Sequence, residues 1–315
     1  GAAGCCCGHA DDGIREGARA HLEVGSNSTR VNVYLNRWRL ADLSSGKGCP
    51  ITVCAVKWRY SFRSEGCPFA MTTEDDPKWR IFCVARIKPV GEGEAAAVVQ
   101  ESATQLSVPH PDDDDEEPTE GRLTFTMDAI CGPEATQQDV YALFKPIVAS
   151  TCKGRNGCVF AYGQTGSGKT HTVVGGDDFR SRGLVPRAIG QVFREAAKRR
   201  KKGGDVSVSC TFAQVYDDAL YDLLDESNES DDVGEWTKAS VLEGDDGSLT
   251  FEGLAEYGAD EEEDALRLLW VGTARRVLGQ TKANDASSRS HAVFTIYVVD
   301  AQRKTRAKLH LVDLA

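Results

Sequence analysis

The sequence predicts an α/β fold, a three-layer sandwich built on a mostly parallel central sheet. Three observations predict it. Gly163, Gln164, Thr165, Gly166, Ser167, Gly168, Lys169 and Thr170 spell G-x-x-x-x-G-K-T, the form of a phosphate-binding loop. A short apolar run, residues 158–162, stands directly before it, as a buried parallel strand would. Elsewhere β-like runs alternate with helical ones, which favours helices laid over a sheet. The expected fold is therefore of the P-loop NTPase type. Glycines at 163, 166 and 168 let the loop backbone curl and aim successive N–H groups inward at an anion. Lys169 would reach the β- and γ-phosphates of a nucleotide, the Thr170 hydroxyl would ligate Mg2+, and the following helix would present its positive end.

Taken in order, residues 1–78 form an unassigned leader, either an appendage or a stretch without native structure. Two short β-like runs, 31–35 and 51–60, are legible there. Cys5, Cys6, Cys7, His9, Cys49, Cys54 and Cys67 lie in it, but they form no C-x-x-C pair and no zinc spacing, so free thiols are the reading. Residues 79–89 read as a strand halted by Pro89. Residues 91–121 read as a solvated insertion with an acidic run at 112–117, and 123–127 as a second strand.

A helical stretch over 136–151 places Val140, Leu143, Phe144 and Ile147 on one face, and Pro146 should kink it or mark its last turn. After the phosphate loop, Pro186 suits the first turn of another helix. That helix ends in Lys198, Arg199, Arg200, Lys201 and Lys202, which the helix dipole favours there and which could also meet an acidic partner. Residues 205–216 are a long β run, 219–224 a short apolar piece, and 241–254 a hairpin turning at Asp245, Asp246 and Gly247. Leu266, Leu269, Trp270, Thr273 and Val277 then repeat at helical spacing, with acidic residues before them and Gly279 as the stop. A polar loop, 280–290, separates this helix from two strands, 292–299 and 307–314.

Composition narrows the function classes. With 37 basic and 48 acidic residues the net charge is −11, which argues against nucleic acid as the main partner. No apolar run approaches the roughly eighteen residues of a membrane span. The chain starts with Gly and no signal-peptide pattern follows. Eleven scattered cysteines fit reduced thiols inside a cell better than a disulfide framework.

A nucleotide hydrolase needs a second Mg2+ anchor and a sensor for the γ-phosphate. Asp313, at the carboxyl end of the apolar run 309–312, is the candidate anchor, although an ordinary strand-ending Asp would look the same. The loop Asn284-Asp285-Ala286-Ser287-Ser288-Arg289-Ser290-His291 is the candidate sensor, dense in phosphate-seeking groups. Taken alone, it could equally be a flexible surface loop.

Here the motifs become specific. FAYGQTGSGKTHT at 160–172, NDASSRSH at 284–291 and LVDLA at 311–315 resemble, in order and spacing, the phosphate loop, first switch and start of the second switch of kinesin motor domains. RIKP at 86–89, GLVPRAI at 183–189, VYDDALYDLL at 215–224 and the segment 272–276 support the resemblance, which covers about residue 79 to the end. It implies a microtubule-stimulated ATPase that moves along microtubules, with ATP and Mg2+ as cofactors and tubulin as partner, in the cytoplasm and its cytoskeleton. Arg86, Lys88 and Pro89 would flank the adenine, with His171 behind it. Gly166, Gly168 and Lys169 would hold the phosphates. Thr170, Ser288 and Asp313 would serve the Mg2+. Asn284 and Ser287 would sense the γ-phosphate and the attacking water, and Arg289 would pair with a second-switch glutamate.

The chain also departs from that family's pattern. Ala283 stands where Met is usual, and Gln214, Asp217 and Asp218 replace Glu and Asn-Glu. The family continues past residue 315 with the second-switch glutamate, the relay helix and most of the microtubule surface. The resemblance is thus to a nucleotide-binding part incomplete at its C-terminus, expected to turn ATP over poorly alone. A homodimer would form through regions outside this chain. The insertion at 175–182 and the helix from 261 resemble, faintly, kinesins of cilia and flagella. The competing readings are a catalytically impaired nucleotide-binding or tubulin-interacting fragment, and an unrelated phosphate-loop GTPase or ATPase. The latter lacks a GTPase-type base-recognition signature, and the switch match speaks against it.

Overall fold

The computed structural model describes residues 18–24, 31–35, 38–39, 51–58, 80–90, 98–109, 122–228, 230, 233–243, 249–278 and 290–315. Strands β1 (Ala18–Val24), β2 (Val31–Leu35), β3 (Trp38–Arg39) and β4 (Ile51–Trp58) come first. Then follow β5 (Arg80–Ile87), β6 (Val99–Gln100), β7 (Gln105–Pro109), β8 (Arg122–Thr126) and β9 (Ala129–Cys131). Helix α1 (Gln137–Thr151) leads to β10 (Gly157–Tyr162), the phosphate loop, α2 (Lys169–Val173) and α3 (Leu184–Arg200). The remainder is β11 (Val206–Tyr216), β12 (Ala219–Asp222), β13 (Lys238–Glu243), β14 (Leu249–Glu252), β15 (Tyr257–Ala259), α4 (Glu262–Leu278), β16 (Ser290–Asp300) and β17 (Thr305–Asp313).

Local chemistry explains the helices. Thr136 caps α1: its hydroxyl accepts from the Asp139 N–H, and the Asp139 carboxylate accepts from the Thr136 N–H at 2.9 Å, a reciprocal capping box. Pro146 lies inside α1 and the helix runs on past it to Thr151. Helix α3 begins three residues before the position where Arg187 donates back to the Arg182 carbonyl, and Pro186 sits in its first turn. Its basic end is partly pinned, since Arg199 Nε donates to Asp300 Oδ2 at 3.0 Å.

The central sheet has eleven strands in the order β14-β13-β12-β11-β16-β17-β10-β4-β5-β9, with β15 also paired to β11. Its parallel pairs are β10 with β17 and β5 with β9; every other pairing in it is antiparallel. The mostly parallel sheet expected from the sequence is therefore corrected to a mixed one. The reason is local: β11 turns into β12 through Asp217 and Asp218, both left-handed with φ 48° and 57°, as a two-residue hairpin turn requires. A short turn also joins β16 to β17, and chains that reverse within a few residues pair antiparallel.

Among the described residues the two larger of three apolar clusters sit on opposite faces of this sheet, the third being a small one of Ala213, Leu220 and Ala239. On one face α1, α2, α3 and α4 share a core with Val84, Val159, Phe212, Phe294, Leu309 and Leu311. On the other, Cys83, Ala85 and Ile87 of β5 pack with Leu106, Val108 and Phe125. Those residues belong to a second, six-stranded sheet, β3-β2-β1-β8-β7-β6. Among the described residues the helices thus cover one face, and a second helical layer is not found.

The leader enters both sheets. Strand β4 pairs antiparallel with β10 on one side and β5 on the other, between two strands from beyond residue 79. A boundary at residue 79 thus falls between paired neighbours of one sheet. Hence a chain beginning at Thr73 should lose solubility or cooperative unfolding, because β5 and β10 would both expose unpaired edges. A chain beginning at about residue 45 should keep them. Thermal unfolding by circular dichroism separates the cases; equal transitions would show that β4 is not needed.

Candidate nucleotide site

The phosphate loop joins the carboxyl end of β10 to α2. Gly166 and Gly168 have φ of 82° and 99°, left-handed values that side chains other than glycine rarely adopt. A Cβ on Gly166 would meet nothing within 4 Å, so the demand there is conformational rather than steric. Lys169 is 8% exposed, and its ammonium donates to the loop's own carbonyls, Gly163 O at 2.7 Å and Gln164 O at 3.0 Å. Burial pushes its pKa below the usual lysine value, partly countered by the Asp313 charge. Two of the three ammonium donors are accounted for, which leaves one for an anion over the loop. Helix α2 is only a short turn, so the anion-binding capacity rests on the loop N–H groups and Lys169 more than on a long helix axis.

The parallel register of β10 and β17 sets Ala161 opposite Asp313, which brings Asp313 to the root of the loop. Thr170 Oγ1 donates to Asp313 Oδ2 at 2.8 Å. The same oxygen accepts Arg276 Nη1 at 2.6 Å, while Arg276 Nη2 donates to the Ser290 carbonyl at 3.0 Å. Arg276 and Asp313 are both buried, at 8% and 2% side-chain exposure. Asp313 Oδ1, Arg276 Nε and Ser290 Oγ are buried there without a hydrogen-bond partner among the described residues. A buried carboxylate oxygen with no donor, beside a threonine hydroxyl, is an all-oxygen donor set of the kind Mg2+ takes when phosphates and waters complete its shell. The residues present therefore fit the metal.

The second half of the site lies beyond the other edge of the loop. Lys88 Nζ donates to Gly166 O at 3.1 Å. Arg86 Nη1 donates to Gln137 Oε1 and Thr172 Oγ1, each at 3.0 Å. Pro89 is exposed next to them. His171 lies against Gln137, and its pKa is lowered by partial burial first and by Arg86 second. The structure thus brings Arg86, Lys88 and His171 to one side of Gly163–Thr170, and Thr170 and Asp313 to its root. Asn284, Ser287, Ser288 and Arg289 lie outside the described residues. Sequence reasoning assigned no role to Gln137 or Arg276. A signal existed for both: Gln137 falls on the Val140, Tyr141 and Phe144 face of α1, and Arg276 is seven residues past Leu269 on the buried face of α4.

Comparison with known proteins now places the chain. A family model described as "Kinesin motor domain" matches residues 86–315. The chain belongs to the kinesin motor domain family. It is 36% identical to Kinesin-like protein KIF27 of Mus musculus over 210 residues, 61% of this chain and 14% of that protein. It is 33% identical to Kinesin-like protein klpA of Emericella nidulans over 254 residues, 75% of this chain and 31% of that one. A solved structure titled "Structure of a fast kinesin: Implications for ATPase mechanism and interactions with microtubules" matches with a TM-score of 0.63 at 28% identity, over 74% of this chain and 64% of that one. The chain therefore spans about one seventh of the first relative and under a third of the second. Kinesin motor domains as a family bind nucleotide with Mg2+ and work on microtubules. Among the described residues no helix is long and apolar enough to cross a membrane.

Removing one member of the Arg276–Asp313 pair would leave the other charge buried and unpaired. Arg276→Ala should therefore lower unfolding free energy by about 3–5 kcal/mol, the range for breaking a buried ion pair from one side. Urea denaturation measures it. A loss under about 1 kcal/mol, the size of a surface pair, would show the contact is not a buried anchor.

Proposed function

We propose that this chain is the ATP-binding and ATP-hydrolysing part of a kinesin motor, which couples hydrolysis to movement along microtubules. The observation that carries the reading is the meeting of Thr170, Asp313 and Arg276 at the root of a left-handed glycine loop. It supports Thr170 and Asp313 as the residues that would hold Mg2+, which when bound would draw charge from the phosphates. Lys169 gives its remaining donor to the β- and γ-phosphates. The loop N–H groups at 164–169 receive the phosphate oxygens, with Gly163 setting the turn. Arg86, Lys88 and Pro89 flank the base and His171 stands behind it.

Catalysis of phosphoryl transfer is mainly positioning and charge stabilisation. Asn284 and Ser287 would orient the attacking water, Ser288 would close on the Mg2+, and Arg289 would hold that closure. These roles rest on the match of NDASSRSH to the family's first switch. Arg276 grips the Ser290 carbonyl, the first residue of β16 after that loop, so the loop's far end is anchored to the same carboxylate that serves the Mg2+. The expected location is the microtubule cytoskeleton. The resemblance of the segment 175–182 and of the helix from 261 to kinesins of cilia and flagella supports a cilium or flagellum as the finer assignment.

The first test is Lys169→Ala. A charge-assisted contact contributes about 1.5–3 kcal/mol, so affinity for a fluorescent ATP analogue should fall at least about tenfold. Unchanged affinity in a folded variant would sink the assignment.

A further inference from the structure

The buried amide of Gln137 joins three segments that surround the base side of the site. Gln137 opens α1 and is 5% exposed. Its Oε1 accepts from Arg86 Nη1 at 3.0 Å, at the end of β5. Its Nε2 donates to the His171 carbonyl at 2.6 Å and to the Ser181 carbonyl at 3.2 Å, and lies 3.1 Å from His171 Nε2. His171 belongs to α2, and Ser181 to the excursion closed by the Gly175–Arg182 bridge.

These partners fix which way the amide points. Turned over, it would set its NH2 against a guanidinium and its oxygen against two carbonyls, losing the contacts to Arg86 and to the His171 and Ser181 carbonyls at once. The donors also reach beyond Gln137. Arg86 Nη1 donates to Thr172 Oγ1, and that hydroxyl donates to the Gly168 carbonyl at 2.9 Å. No partner of the Gln137 side chain belongs to residues 163–169.

We propose that Gln137 is the positioning residue of the base end of this nucleotide site. It holds Arg86 and the His171 backbone in register and ties the 175–182 excursion to them. The proposal rests on the reading of Arg86 and His171 as base-flanking groups. A glutamine suits the role because one uncharged group must accept from a cation and donate to two carbonyls in a space nearly closed to water. A carboxylate could keep the first contact but would repel the carbonyls. An alanine would leave the Ser181 and His171 carbonyls without this donor. Since Gln137 touches none of the phosphate loop before Lys169, its loss should weaken recognition of the base and spare recognition of the phosphates.

The test compares ATP with inorganic tripolyphosphate, which has the phosphates and no base, by calorimetry on the full chain with Mg2+. Gln137→Ala and Gln137→Glu should each bind ATP roughly fivefold or more weakly, the scale of a lost net hydrogen bond to a charged or buried group. Tripolyphosphate affinity should stay within about twofold, and that retention shows that the loop is still folded. An equal loss for both ligands would make Gln137 a structural residue only and overturn the proposal, as would unchanged ATP affinity. His171→Ala separates the underlying reading. If His171→Ala fails to weaken ATP relative to tripolyphosphate, the base-flanking reading falls and takes the proposal with it. If it does weaken ATP while both Gln137 variants match the parent chain, only the role of Gln137 is refuted.

Discussion

One carboxylate oxygen, Asp313 Oδ2, accepts both Thr170 and Arg276, and the site depends on that sharing. A charge buried to 2% exposure costs several kcal/mol unless it is paired and hydrogen-bonded. Here the pairing comes from α4 and the hydrogen bond from the first turn after the phosphate loop. The helix, the loop and the end of β17 are therefore held to one atom. Arg276 extends the hold to the first residue of β16. Any change in what Thr170 contacts is felt by Arg276, and so by the backbone at the start of β16.

The sheet makes this meeting possible. Strand β17 lies between β16 and β10, antiparallel to one and parallel to the other. The hairpin to β16 sets Ala292 opposite Asp313, and the parallel pairing to β10 sets Ala161 opposite it on the other side. Small residues on both sides leave room for the carboxylate and for the arginine above it. A cavity of about 110 Å3, lined by Val173, Phe212, Leu269 and Phe294 and bounded by Arg276 and Asp313, continues the same space into the helical core. Close packing is otherwise tight: a Cβ on Gly272 of α4 would come within 2.2 Å of the Phe212 ring, so glycine is needed there for the helix to approach the sheet.

Much of this was legible in order along the chain. The loop, its preceding strand, the capped start of α1, the apolar stripe of α4 and the two final strands each carry a local signal, and each lies within a residue or two of its expected place. What was not legible is long-range. Nothing within residues 51–58 says that they pair with both β5 and β10. The mixed character of the sheet follows from the Asp217-Asp218 turn, whose left-handed pair is a hairpin signal that the apolar reading of 219–224 passed over. Arg276 on a buried helix face reads as an anomaly until Asp313, 37 residues later, supplies its partner. Asn284, Ser287, Ser288 and Arg289 are proposed from the NDASSRSH motif alone and lie outside the described residues.

Asp313 anchors Arg276 and, in the function proposed, is also the seat of the metal. The most direct measurement is ATP affinity with and without Mg2+, in the parent chain and in Asp313→Asn, by calorimetry. The amide keeps the size of the side chain and loses its charge. Mg2+ should tighten ATP binding in the parent, and that enhancement, taken as the ratio of affinities with and without the metal in each protein, should fall about tenfold or more in Asp313→Asn. An enhancement of the same size in both proteins would contradict that seat for the metal.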